Sequence, residues 1–160
     1  MDQLNFSEFF NTKTEANDFV NTLAFLSQQV YQVNFNIEKL LTERIGTRKK
    51  DLFMTLLRNS LISLESPSGL QGFMDTLRER ILSLPVISIT IAFEPQEQTI
   101  QQLTEWFATQ KNMQVLFDLH VDPGILGGAT FSFNGKFADF SIKPTFQQII
   151  QTMLQANSKK

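Results

Sequence analysis

The chain has no cysteine and only one histidine (His120), one tryptophan and one tyrosine. Without cysteine there is no disulfide scaffold, no thiolate metal site and no cysteine nucleophile. With a single histidine, His-rich zinc sites are excluded, and any Ser-His-Asp chemistry would have to run through that one residue. Charge is sparse. Charged residues are 19% of the 160, and 14 Lys and Arg against 16 Asp and Glu leave a formal net charge of -2. That balance provides no global attraction to nucleic acid. Long apolar runs are also missing, and the stretches present fall far short of the ~20 residues that cross a bilayer. The opening Met1-Asp2-Gln3-Leu4-Asn5-Phe6-Ser7-Glu8 has no basic region, no apolar h-region and no Arg. Neither a secretory signal nor a mitochondrial transit peptide is expected there. The expectation is a soluble intracellular protein without direct membrane insertion.

What the chain does have is phenylalanine, 16 of them, within an apolar fraction of 42%. A chain of this length fits one domain or two small packed ones and buries roughly 70% of its unfolded surface, enough for a core without staples. Residues 12 to 84 carry helical periodicity. Thr12-Lys13-Thr14-Glu15 is a capping-box pattern, followed by Phe19, Leu23, Leu26 and Val30 on one face. Ile37, Leu40, Leu41 and Ile45 continue at that spacing, as one bent helix or two. Gly46 reads as a stop and Thr47 as a new N-cap. Leu52, Phe53, Leu56, Leu57, Leu61 and Leu64 form the next stripe. Ser66-Pro67 reads as a cap with proline at the first helical position, leading into Leu70, Phe73, Met74, Leu77 and Ile81. One-sided stripes imply helices packed on one another.

After Pro85 the period changes. Val86 to Phe93 is β-branched and partly alternating, and reads as a strand. Glu94-Pro95 is expected to open a helix with Ile100, Leu103 and Phe107 on one face. Met113 to Val121 reads as a second strand, parallel to the first because a helical crossover joins them. Asp122-Pro123-Gly124 is a turn, Ala129 to Phe133 a third strand, and Lys136 to Phe140 its return. Asn134-Gly135 between them is the strongest two-residue hairpin signal. Pro144 is expected to start a last helix with Phe146, Ile149, Ile150, Met153 and Leu154 apolar. The expected class is α+β: an N-terminal helical bundle over residues 1–84 and a small β-α-β-β-α domain over 85–160.

Candidate chemistry is thin. Gly127-Gly128-Ala129-Thr130 leads into a strand and lacks the spacing of a phosphate loop; glycines shaping a turn are the better reading. His120 lies between Asp118 and Asp122, but a metal site needs a further ligand, and a polar strand face explains the trio. Asp139 and Ser141 share a face at a strand end, where they read as a turn or a cap on the last helix. The basic cluster Arg44, Arg48, Lys49 and Lys50 straddles a helix break and reads as a solvated junction. Phe6, Phe9 and Phe10 either pack back on the bundle or meet a partner. No cofactor is expected.

Val121-Asp122-Pro123-Gly124-Ile125-Leu126-Gly127-Gly128, then Phe131, Asn134-Gly135-Lys136 and Asp139-Phe140-Ser141-Ile142, follow one another in an order and spacing that resemble a known family. This stretch is similar to the C-terminal region of the delta subunit of F-type ATP synthases, the oligomycin-sensitivity-conferring protein of mitochondria. The resemblance covers residues 85 to 154. Its signature positions here are Asp122, Pro123, Gly127, Gly128, Gly135, Asp139 and Ser141, and it implies structural roles for them, with no catalytic, cofactor-binding or metal residue. Glu94-Pro95-Gln96 stands where the family usually has Pro-Leu-Ser. The stripes of the first half account for four or five helices, against six in the family's bundle. The resemblance implies a non-catalytic stator connector in the peripheral stalk. Its helical part would bind the N-terminal helices of the alpha subunits of the catalytic head, and its C-terminal part the end of the b-subunit stalk. Such a subunit is expected to be peripheral on the cytoplasmic face of a bacterial-type inner membrane. The alternatives from the residues alone are a small α+β ligand-binding domain or enzyme using His120, Asp118 and Asp122, and a free-standing protein-protein adaptor.

Overall fold

The computed structural model describes residues 5–64 and 66–142, together with positions 145 and 148. A 3-10 turn, Phe6–Glu8, leads into three long helices: α1 (Lys13–Gln29), α2 (Ile37–Asn59) and α3 (Pro67–Leu82). Then come β1 (Val86–Ile91), α4 (Glu97–Lys111), β2 (Leu116–Val121), a second 3-10 turn at Pro123–Ile125, β3 (Ala129–Phe133) and β4 (Lys136–Asp139). The class is α+β, as the change of period at Pro85 requires. The helix expected after Pro144 lies outside the described residues.

The start of α1 follows from four residues. Thr12 Oγ1 accepts from the Glu15 amide at 3.2 Å, while Glu15 Oε2 accepts from the Asn11 and Thr12 amides at 2.9 and 3.1 Å. This reciprocal capping box fills the donors that a helix start leaves open. Burial pushes the Glu15 carboxyl up. The bonds from Asn11 and Thr12, with the Lys49 charge, outweigh it and hold the group below its ordinary 4.5. At α3, Ser66 Oγ accepts from the Gly69 amide and Pro67 fills the first turn, as the sequence predicts.

The break expected at Gly46 is present: at φ 77, ψ 167 it leaves the helical conformation, and α2 is two helical segments joined at that kink. Two helical expectations change. Leu61 and Leu64 do not extend the α2 stripe. The helix ends at Asn59, and both leucines lie outside it, exposed. Nor does α4 open at Glu94-Pro95. It begins at Glu97, after Gln96, whose side chain makes no capping bond.

The sheet has the order β2-β1-β3-β4. β1 and β2 are parallel, with Val86 opposite Leu116 and Ile91 opposite Val121, and β3 returns antiparallel to β1. The helical crossover between β1 and β2 required the parallel pairing. The β3–β4 hairpin turns on Asn134 (φ 48) and Gly135 (φ 73), the two positive φ values that a type I′ turn needs.

Two apolar clusters form. The larger joins α1, α2 and α3 through buried residues such as Leu23, Leu26, Leu41, Phe53, Leu57, Leu70, Met74 and Ile81. The smaller lies between the sheet and α4, where Ile87, Ile89 and Phe117 meet Ile100. Strand alternation then turns Ser88, Thr90, Asp118 and His120 to the opposite face. Leu116 belongs to the helical cluster, so the first rung of the sheet is sealed by helices. Phe6, Phe9 and Phe10 pack back into this cluster, Phe9 and Phe10 in contact with Phe19 and Phe6 stacked on Phe10. That decides between the two readings of these residues.

Candidate functional site

Most of the signature residues lie at one end of the sheet. β2 ends at Val121, and Asp122 Oδ1 accepts from the Gly124 amide at 2.8 Å, which holds the turn that Pro123 begins. The Asp122 amide itself donates to the Ile91 carbonyl at 2.8 Å, tying the turn to the end of β1. Beyond it, the Ile142 amide donates to the Gly127 carbonyl and the Phe140 amide to the Ala129 carbonyl, each at 2.9 Å. The residues after β4 therefore lie directly on the glycine pair. Gly128 has φ +76, and a Cβ there would run into the Phe140 carbonyl oxygen and come within 3.0 Å of Ser141 Cα. Only glycine satisfies both the backbone angle and the close approach. At Gly127 a Cβ would come within 2.8 Å of Ile142 Cδ1. Asp139 Oδ1 accepts from the Ser141 amide at 2.8 Å and closes the corner from the other side. Six of the seven signature residues thus lie at the same end of the sheet, Asp122 and Pro123 beside β2 and the other four beside β3 and β4. Gly135 does not; it sits at the far tip of the hairpin.

His120 is more than half exposed, with Nε2 3.7 Å from Asp118 Oδ1. Asp118 is already engaged by Lys13 Nζ at 2.8 Å, and Asp122 is committed to its turn. Among the described residues no three His, Asp or Glu side chains gather in a way that could hold a metal ion. The surroundings of His120 are those of an exposed polar strand face.

A larger feature lies in the helices. The second half of α2 and the outer face of α3 diverge to leave a groove of about 1340 Å³. Leu52, Leu56, Ile62, Phe73 and Leu77 make its apolar surface, with Phe9 at one end. Gly69 and Gly72 keep the α3 wall low, and Arg58 and Arg80 stand on opposite walls. Leu61 lines the groove at 94% exposure with φ 58. Sequence reasoning did not find this groove. The signal was present in Leu61, which falls beyond the helix end, and in the glycines spaced three apart on α3. The basic cluster at the Gly46 kink is partly structural: the Arg44 guanidinium lies 3.9 Å over the Phe25 ring.

No helix among the described residues is long and apolar enough to cross a membrane. A chain from the cryo-EM structure of the Toxoplasma gondii mitochondrial ATP synthase hexamer matches at 12% identity and a TM-score of 0.34, covering 88% of this chain and 84% of that one. ATP synthase subunit delta of Rickettsia massiliae (strain Mtu5) is 24% identical over 160 residues, which is 98% of this chain and 77% of that protein. The family model for the ATP synthase delta (OSCP) subunit matches residues 2–153, both halves of the chain. The chain therefore belongs to the ATP synthase delta (OSCP) subunit family, the non-catalytic stator subunits of the peripheral stalk.

Proposed function

We propose that this chain links the catalytic head of an ATP synthase to its b-subunit stalk and resists the torque of the rotor. In this reading residues 1–84 form a helical domain that takes the N-terminal helices of the alpha subunits. Residues 85–160 form an α+β domain that takes the end of the b-subunit. The protein would sit at the cytoplasmic face of a bacterial-type inner membrane, held there by its complex; the delta subunit of Rickettsia massiliae as a relative supports that setting. Asp122, Pro123, Gly127, Gly128, Asp139 and Ser141 are assigned the role of stiffening the sheet corner, and Gly135 that of fixing the hairpin register.

The groove between α2 and α3 carries the proposal. At about 1340 Å³ it exceeds the ~300–1,000 Å³ of ordinary small-molecule sites. Its long apolar surface suits the apolar face of a helix. Arg58 on the α2 wall favours an acidic residue along the flank of that helix. Leu61 adds an argument from stability. A left-handed leucine costs ~1–2 kcal/mol, and at 94% exposure it recovers little inside the chain. A partner seated in the groove would cover it.

The test is titration of the chain with an isolated alpha-subunit N-terminal peptide, followed by calorimetry. Arg58→Glu is expected to weaken binding by about tenfold, the cost of an unfavourable charge at a partly buried contact. Leu61→Gly is expected to weaken binding while the melting temperature holds or rises, because glycine relieves the backbone. Equal affinity for parent and both variants, or no binding by the parent, would overturn the assignment of the groove.

A further inference from the structure

The segment 5–13 leads into the first long helix, whose first residue is Lys13, yet it touches both layers of the molecule. Its side chains go one way. Phe6, Phe9 and Phe10 are buried in the helical cluster, Phe10 at 2% exposure. Phe6 stacks on Phe10, and Phe9 and Phe10 meet each other and Phe19 of α1 at a tilt, with centroids 5.3 to 6.5 Å apart. Its backbone goes the other way. The Phe6 amide donates to Gln114 Oε1 at 3.1 Å, just ahead of β2. The Phe117 amide, on the open side of β2, donates to the Asn11 carbonyl at 3.0 Å, and Thr12 pairs with Phe117 as a short parallel bridge. Lys13 Nζ then reaches Asp118 Oδ2 at 2.8 Å. β2 is the outer strand of the sheet, so this segment occupies an edge that would otherwise offer unpaired amides.

The helices and the sheet are also joined covalently at Leu84-Pro85-Val86, where Leu84 and Val86 pack on the helical cluster. A single covalent joint leaves a hinge, and relative motion is the usual expectation for two units so connected. A second attachment, through a different strand and more than 70 residues earlier in the chain, removes that freedom. We propose that residues 5–13 are a clasp that locks the helical layer to the β2 edge, so that helices and sheet move as one body. The aromatic side chains anchor one jaw in the helical core. The Asn11 carbonyl, the Phe6 amide and the Lys13 ammonium grip the other jaw. Phe9 of this segment also lines the groove, but Asn11, Lys13, Gln114 and Phe117, which make the ties to β2, do not.

The absence of cysteine makes the test direct. Thr42→Cys on α2 and Lys136→Cys on β4, both exposed, carry spin labels on the full chain, and the distance between them is measured by pulsed electron resonance. The parent is expected to show one narrow distance peak. Phe6→Ser with Phe10→Ser is expected to lose that peak to a broad distribution. Should that variant fail to fold, Lys13→Ala with Gln114→Ala decides, because it removes two ties and leaves the aromatic cluster in place. There the Phe6 amide, and the Phe117 amide beside it, are expected to exchange hydrogen at least about fivefold faster, while amides within α3 are unchanged. A broad or two-peaked parent distribution would overturn the clasp. So would a narrow peak in a folded Phe6→Ser, Phe10→Ser variant, or unchanged exchange in the second variant.

Discussion

Two glycines with nearly the same backbone angle separate conformational cost from contact cost. Gly128 has φ +76 and Gly135 has φ +73. An alanine at either must adopt a left-handed backbone, which costs ~1–2 kcal/mol. At Gly135 nothing lies within 4 Å of the added Cβ, so the cost stops there. At Gly128 the methyl meets the Phe140 carbonyl oxygen and Ser141 Cα, both backbone. Neither can swing away as a side chain would, so the corner must open. Opening it strains the Phe140–Ala129 and Ile142–Gly127 bonds, worth ~1 kcal/mol each. Gly128→Ala should therefore cost about 3–4 kcal/mol in all. At roughly 2–4 °C per kcal/mol for a chain of this size, the melting temperature falls by about 10 °C for Gly128→Ala and about 4 °C for Gly135→Ala. Thermal denaturation followed by circular dichroism reads both. Equal shifts would show that backbone angle alone accounts for Gly128 and that the corner is not tightly closed. Gly128→Val, bulkier and branched, should fall further still.

His120→Ala is expected to leave melting and assembly with ATP synthase subunits unchanged, because His120 is exposed and only 3.7 Å from a carboxylate that Lys13 already holds; loss of assembly by a folded variant, read by co-purification, would restore a functional histidine. The second expectation concerns acid. The folded Glu15 carboxyl titrates below its ordinary 4.5, so its stabilisation is complete above that value and is lost as pH falls through the lowered one. Glu15→Gln should melt lower than the parent at neutral pH, with the gap closing in acid; melting curves over that range check it, and a gap independent of pH would refute the role of the charge.

Much of the fold was legible because its determinants are local. A capping box is four consecutive residues, and Thr12 and Glu15 carry it out as read. The Asn134-Gly135 turn is two residues, and both take the positive φ that the dipeptide favours. The parallel pairing of β1 and β2 follows from one helical crossover. The misreadings fall at ends. Leu61 and Leu64 keep an apolar period for a turn beyond the helix because periodicity registers residue type and not backbone angle. Leu61 takes φ 58, which no helix accommodates. Gly46, by contrast, breaks the helix as its residue type predicts, taking φ 77, ψ 167.

The two proposed surfaces divide along the same line. The sheet corner could be read as a motif because its residues fall within 20 positions, from Asp122 to Ser141, and short-range turn chemistry dictates most of them. The groove could not, since it exists only where two helices diverge. Its surface combines residues from Leu52 to Arg80 that share no single period. The aromatic clasp was open for the same reason. Three phenylalanines near the start of the chain could equally have served a partner or the core, and only the placement of β2, more than 100 residues later, gives their backbone something to hold. Turn and cap chemistry specified the rigid corner from nearby residues. Which apolar side chains stay exposed to grip other chains depends on how distant elements pack. In a protein with few titratable side chains to mark a site, the proposed docking groove is therefore the part that periodicity alone reads least well.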